Sequence, residues 1–137
     1  MFMNSRVFAV LVISILFLGC VVGSQENIRL KGAVDPGQIS LDKDMPVSIE
    51  ATVENIGNST ETVAVDVDGT EGLVIERPER RSFTLKPGES RVVIFVGRLE
   101  KTAVPGKYRV EIVASTDGSA SKSEVVFLNV VSQQGFI

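Results

Sequence analysis

Histidine and tryptophan are absent from the 137 residues, and cysteine and tyrosine occur once each, at Cys20 and Tyr108. Without histidine there is no imidazole general base and none of the commonest transition-metal ligand. A lone cysteine excludes an internal disulfide, a CxxC redox pair, a zinc-finger spacing and a Cys-His nucleophile pair. Serine and threonine abound, but no base to activate one is identifiable, so a non-enzymatic protein without cofactor is expected. With no tryptophan and one tyrosine, a sugar-stacking platform has few aromatics to draw on. Charge of one sign is scarce too. Lys and Arg total 14 against 17 Asp and Glu, a net charge of -3, and the two signs are interspersed, which argues against a nucleic-acid footprint. No disulfide is available as a staple, so the fold has to stand on its hydrophobic core.

What is present begins with an address. Arg6 and the α-amino group make a short positive region, and the stretch from Val7 to Val22 is apolar apart from Ser14, Gly19 and Cys20. This is the layout of a secretory signal or membrane anchor over residues 1–23. Three fates fit. In Phe17-Leu18-Gly19-Cys20 a glycine precedes the cysteine, as in a lipobox, with Phe17 in the place usually held by Leu, so Cys20 is a candidate for lipid attachment. Ordinary cleavage after Gly23 or Ser24 is the second. The third is an uncleaved hydrophobic helix, for which the run sits at the short end of the roughly 17–25 residues a span requires. All three place the remaining chain outside the cytoplasmic membrane.

Residues 24–27 read as a polar linker and 132–137 as a frayed tail, leaving 28–131 for one domain. Its hydrophobic pattern has period two. In Val47-Ser48-Ile49-Glu50-Ala51-Thr52-Val53-Glu54 every odd position is apolar and every even one polar, as in a half-buried strand. Val63, Val65 and Val67 repeat the pattern, as do Tyr108, Val110, Ile112 and Ala114, and Val126, Leu128 and Val130. Shorter strands are expected at Ile28–Val34, with Ile39 and Leu41 continuing it after a kink at Asp35-Pro36-Gly37, and at Leu73–Glu76 and Phe83–Leu85. Asp68-Gly69 carries a hairpin signal, and Lys86-Pro87-Gly88-Glu89 has Pro and Gly at the second and third turn positions. The segment from Arg91 to Leu99 is apolar on both parities, which predicts a strand covered on both faces. Seven or eight strands divided by Pro-Gly turns make an all-β, immunoglobulin-like antiparallel β-sandwich, preceded by the N-terminal hydrophobic helix.

Three motifs in order resemble the CARDB-like immunoglobulin modules of bacterial and archaeal surface proteins. They are Val53-Glu54-Asn55-Ile56-Gly57-Asn58, Leu85-Lys86-Pro87-Gly88-Glu89 and Pro105-Gly106-Lys107-Tyr108-Arg109-Val110. The resemblance covers Leu41 to Ser115, about half the chain. It implies an extracellular structural or adhesive module. By the same analogy Tyr108 occupies a tyrosine corner, with its ring in the core and its hydroxyl on nearby backbone; the alternative is a plain core aromatic.

Several side chains are candidates for a site. Asp66, Asp68 and Glu71 cluster oxygens as a calcium loop does, although Asp-Gly is equally a turn. Arg77, Arg80 and Arg81 form the only basic cluster, interrupted by Glu76 and Glu79. Asn58-Ser59-Thr60 is a glycosylation sequon, with Asn58 as the acceptor. Val93, Phe95, Val125 and Phe127, if outward on adjacent strands, make an exposed apolar interaction face. The function expected is a membrane-anchored extracytoplasmic module acting by protein–protein contact in the cell envelope. The alternative is a surface module binding glycan or calcium.

Overall fold

The computed structural model describes residues 27–117 and 121–132. The expected N-terminal helix, Cys20 and most of the C-terminal tail lie outside these residues. Within them are nine strands and no helix: β1 (Ile28–Asp35), β2 (Gln38–Ser40), β3 (Val47–Asn55), β4 (Glu61–Gly69), β5 (Leu73–Glu76), β6 (Ser82–Leu85), β7 (Ser90–Leu99), β8 (Gly106–Thr116) and β9 (Ser121–Val131). They form two facing sheets, a four-stranded one in the order β1-β3-β7-β5 and a five-stranded one in the order β2-β9-β8-β4-β6.

The period-two segments behave as their patterns require. Val47, Ile49, Ala51 and Val53 on β3, Val63, Val65 and Val67 on β4, and Val110, Ile112 and Ala114 on β8 are all buried between the sheets. Burying these aliphatic side chains against one another is the main favourable term in the fold, at about 25 cal/mol per Å² of apolar surface. Packing within the four-stranded sheet has its own requirement at Gly97. A Cβ there would lie 2.9 Å from Val47 Cγ2 and 3.2 Å from Leu73 Cδ1, so glycine lets β7 sit tight beneath its neighbours.

Three local expectations are corrected. The segment around Ile39 does not prolong β1. After a cis Asp35–Pro36 bond the chain changes sheet, and β2 runs parallel to β9, with Ile39 paired to Val130. This makes nine strands rather than seven or eight, and one parallel pairing. Asp68-Gly69 does not close a hairpin either, because β4 pairs with β6 and β8 while β5 pairs with β7 in the opposite sheet. The strand β7 is covered on one face only: Val93 and Phe95 are buried, whereas Val92 and Ile94 stand about half exposed.

The antiparallel order divides the loops between two poles. At one pole the chain enters at Asn27, beside the β3–β4 loop, the β6–β7 turn and the end of β8. At the other lie the β1–β2, β4–β5 and β7–β8 connections. The β5–β6 segment crosses the open side between the sheets.

Candidate functional site

The entry pole is stitched by one buried side chain. Asn55 ends β3 at an odd, inward position and has no exposed surface. Its Nδ2 donates to the carbonyls of Ser59 at 2.8 Å and Leu85 at 2.9 Å, and its Oδ1 accepts from the Gly57 amide at 2.9 Å. Its backbone amide donates to Glu89 O, and its carbonyl accepts from the Gly88 amide. One residue thus ties β3 to β6 in the other sheet and to the β6–β7 turn. That turn closes through the Glu89 amide on Lys86 O at 2.9 Å, with Gly88 at φ 86°, and the Glu89 carboxylate accepts from the Lys86 amide at 2.7 Å.

Tyr108 answers its expectation. The ring is buried near the start of β8, and the hydroxyl both donates to Val104 O at 2.7 Å and accepts from the Val104 amide at 3.1 Å. This is the geometry of a tyrosine corner, and it fixes the β7–β8 connection at the far pole.

The acidic and basic candidates turn out to satisfy each other. Asp66 Oδ1 accepts from Arg77 Nε at 2.7 Å, Arg81 Nη1 at 3.2 Å and the Val67 amide at 2.9 Å. Asp68 lies 3.9 Å from Arg77 Nη2. Burial pushes the Asp66 carboxyl up, but the Arg77 hydrogen bond, the Val67 amide and the charges of Arg77 and Arg81 outweigh it and hold the pKa below the usual value. Glu71 stands beyond, in the β4–β5 connection, and among the described residues no group of three ligating side chains is placed to hold a metal ion. The structure therefore does not bring Asp66, Asp68 and Glu71 together as a calcium loop. The arginines act on the sheet edge. Just before β6 begins, Arg81 O accepts from the Val65 amide at 2.8 Å and Arg77 Nη2 donates to Val67 O at 2.9 Å. They continue the ladder along β4 and block addition of a foreign strand there.

The predicted apolar face is redistributed. Val93 and Phe95 are in the core, because β7 pairs with β3 as Val93 to Ala51 and Phe95 to Ile49, and paired residues share a face. Val125 and Phe127 lie on the outer side of the five-stranded sheet, opposite Glu111 and Arg109. Phe127 stands 46% exposed, with the Lys107 ammonium 4.4 Å from its ring centroid. The expected four-residue patch does not exist, since its members belong to different sheets and different faces. Asn58 is exposed in the β3–β4 loop, at the entry pole.

A different apolar surface takes its place. On the outer side of the four-stranded sheet Val92 is 51% exposed, Ile94 50% and Val74 45%, and Val96 continues the row along β7. Arg29 and Glu54, 3.0 Å apart, border the row at the Val92 end, and the Arg98–Glu76 pair at 2.8 Å crosses between Val96 and Val74. No strand or loop among the described residues lies over it.

No protein-family model matches the chain, and no curated protein does. Solved structures do match in shape. A FixG-related protein from Vibrio parahaemolyticus superposes with a TM-score of 0.61 at 9% identity, over 77% of this chain and 98% of that one. Alpha-2-macroglobulin from Salmonella, reacted with methylamine, gives 0.64 at 11% identity over 77% of this chain and 7% of that one. The sporulation control protein Spo0M from Bacillus subtilis gives 0.55 at 15% identity, over 80% and 51%. The strand order β1-β3-β7-β5 facing β9-β8-β4 is the four-on-three arrangement of an immunoglobulin constant domain, with β2 and β6 added at the edges. The fold is immunoglobulin-like. At these identities the likeness concerns shape alone. An immunoglobulin-like domain hosts many functions, so function has to be argued from its surfaces.

Proposed function

We propose that the protein is a non-enzymatic, extracytoplasmic immunoglobulin-like module, held at a membrane through residues 1–23, that works by protein–protein contact in the cell envelope. The observation that carries this reading is the β7 row Val92 and Ile94, with Val74 beyond it on β5, all about half exposed on a sheet face over which no described residue lies. Half-exposed aliphatics in a row along one strand, bordered by charge, mark an interaction surface rather than a solvated one. The tether is either a lipid on Cys20 or the apolar segment itself, and mass analysis of the mature N-terminus separates the two. The convergence of Asn55, Gly57 and the Leu85–Glu89 turn at one pole supports reading the chain as a CARDB-like module, since two of the three motifs behind that resemblance serve one structural joint.

A photo-crosslinking amino acid at position 94 in living cells tests the contact. A discrete adduct that disappears when Val92→Lys is added supports the reading. Absence of any adduct, or recovery of the chain in the cytosolic fraction, overturns it.

A further inference from the structure

We infer that Asn58 is a site of covalent modification, the acceptor of an N-linked oligosaccharide. The inference rests on the exported reading above and adds a modification to it. The motif alone is short, and three features of the β3–β4 loop carry the inference beyond it.

The first is place. Four asparagines lie among the described residues, Asn27, Asn55, Asn58 and Asn129. Asn55 is buried at the end of β3, Asn129 lies within β9 and pairs with Lys107, and Asn27 is partly buried beside β1. Only Asn58 stands exposed in a loop, and only Asn58 has a hydroxyl residue two places on, Thr60, with no proline between. Motif and accessible position coincide at one asparagine.

The second is freedom. The nitrogen of a carboxamide has its lone pair delocalised by resonance, so a transferase has to grip and turn the whole group, and it reads the hydroxyl two residues on. Among the described residues neither the Asn58 carboxamide nor the Thr60 hydroxyl enters a hydrogen bond. Asn55, in contrast, spends both Nδ2 protons and Oδ1 on the backbone.

The third is presentation. The loop is pinned around the acceptor and not at it. The Ile56 amide donates to Asn27 O at 2.9 Å, the Gly57 amide to Asn55 Oδ1 at 2.9 Å, and Ser59 O accepts from Asn55 Nδ2 at 2.8 Å. The backbone on either side of Asn58 is thus held, while Asn58, Ser59 and Thr60 face solvent in succession. A bulky polar group there meets neither sheet.

The donor is a lipid-phosphate-linked oligosaccharide, used by a membrane transferase on the outer side of the cytoplasmic membrane. Asn58 Nδ2 forms a bond to the anomeric carbon of the first sugar. The bond from that carbon to the phosphate oxygen breaks, and the lipid phosphate leaves with the electron pair. One Nδ2 proton passes to a base of the transferase.

The full chain, purified from fractionated cells that make it, is digested, and the peptide carrying Asn58 is weighed by mass spectrometry. Its mass is expected to exceed the sequence mass by a discrete oligosaccharide, with fragment ions placing the sugar on Asn58. Asn58→Gln and Thr60→Ala are each expected to remove it completely, and Thr60→Ser is expected to keep it. Both residues are exposed, so these chains fold as the parent does, and coincident melting curves check that. A cysteine placed in this loop for labelling is read in the Thr60→Ala chain, where no oligosaccharide shields it. A sugar that survives Thr60→Ala overturns the inference, because the motif is then not what is read. A bare peptide from chain in the envelope fraction overturns it too, and leaves the exported reading standing. A bare peptide from chain in the cytosolic fraction overturns both.

Discussion

Asn55 occupies a place where the alternation of β3 otherwise sets aliphatics. The odd positions from Val47 to Val53 are buried and apolar, and the next odd residue is an amide with no exposed surface. A buried amide is tolerated only when bonded, and here both Nδ2 protons and Oδ1 find backbone partners. Replacing it by alanine removes three hydrogen bonds and leaves the carbonyl of Leu85 without its donor inside the domain. Asn55→Ala is expected to cost about 2–4 kcal/mol, a fall in melting temperature on the order of 10–20 °C for a domain of this size. Asn58→Ala, three residues on in the exposed loop, is expected to change stability by less than about 0.5 kcal/mol. Thermal and urea unfolding of both variants checks the contrast. Equal stability of the two removes Asn55 from its role at the joint. The parity of the residue was visible in the sequence, where Asn55 reads as turn chemistry. Its position on the inward face is the signal that identifies it instead as a buried stitch between sheets.

At the scale of the strand, sequence pattern works where one parity is apolar and fails where both are. On β3, β4 and β8 alternation alone assigns the buried face. On β7, Val92, Ile94 and Val96 compete with Val93 and Phe95, and a shift of one residue exchanges the two sets. What decides between them is the pairing of Ile49 with Phe95 and Ala51 with Val93, a register between strands distant in sequence that no local pattern contains. The same holds for β2, whose parallel partner β9 lies at the other end of the domain. The short edge at β4 shows what charge adds at this scale. Asp66 is the point on which Arg77 and Arg81 converge, and its pKa is lowered in the folded state. A carboxyl with a folded pKa below its unfolded value, about 3.9, contributes stability that is fully present above that value and lost as pH falls through the folded one. Asp66 is half exposed, so the contribution is small. Asp66→Asn is expected to be slightly less stable than the parent at pH 6, with the gap closing as the pH is taken below about 4. Urea midpoints measured across that range give the answer; two curves falling in parallel show that the arginine pair adds nothing.

For the whole molecule, the decisive fact is where the chain enters. Asn27 lies at the pole formed by the β3–β4 loop and the β6–β7 turn, and its carbonyl accepts from the Ile56 amide at 2.9 Å, so the entry point is fixed to the sandwich rather than hanging from it. If the apolar segment holds the chain in a membrane, residues 24–26 reach at most about 10 Å when fully extended, and if a lipid on Cys20 does, residues 21–26 reach at most about 20 Å. Either length keeps the entry pole on the membrane side and sends the far pole, with Val104 64% exposed, outward. The sandwich then stands as a short post whose sides, the outer face of the four-stranded sheet among them, meet its neighbours. The orientation has its own test. Ser59→Cys at the entry pole and Val104→Cys at the far pole both lie in exposed loops, and a maleimide carrying a bulky polymer is excluded from the layer next to the bilayer. In intact cells Val104→Cys is expected to label at least several-fold faster than Ser59→Cys, and the two rates are expected to converge once detergent releases the protein. Equal rates before detergent mean that the entry pole is not held against the membrane, and the upright arrangement of the sheet face falls with it.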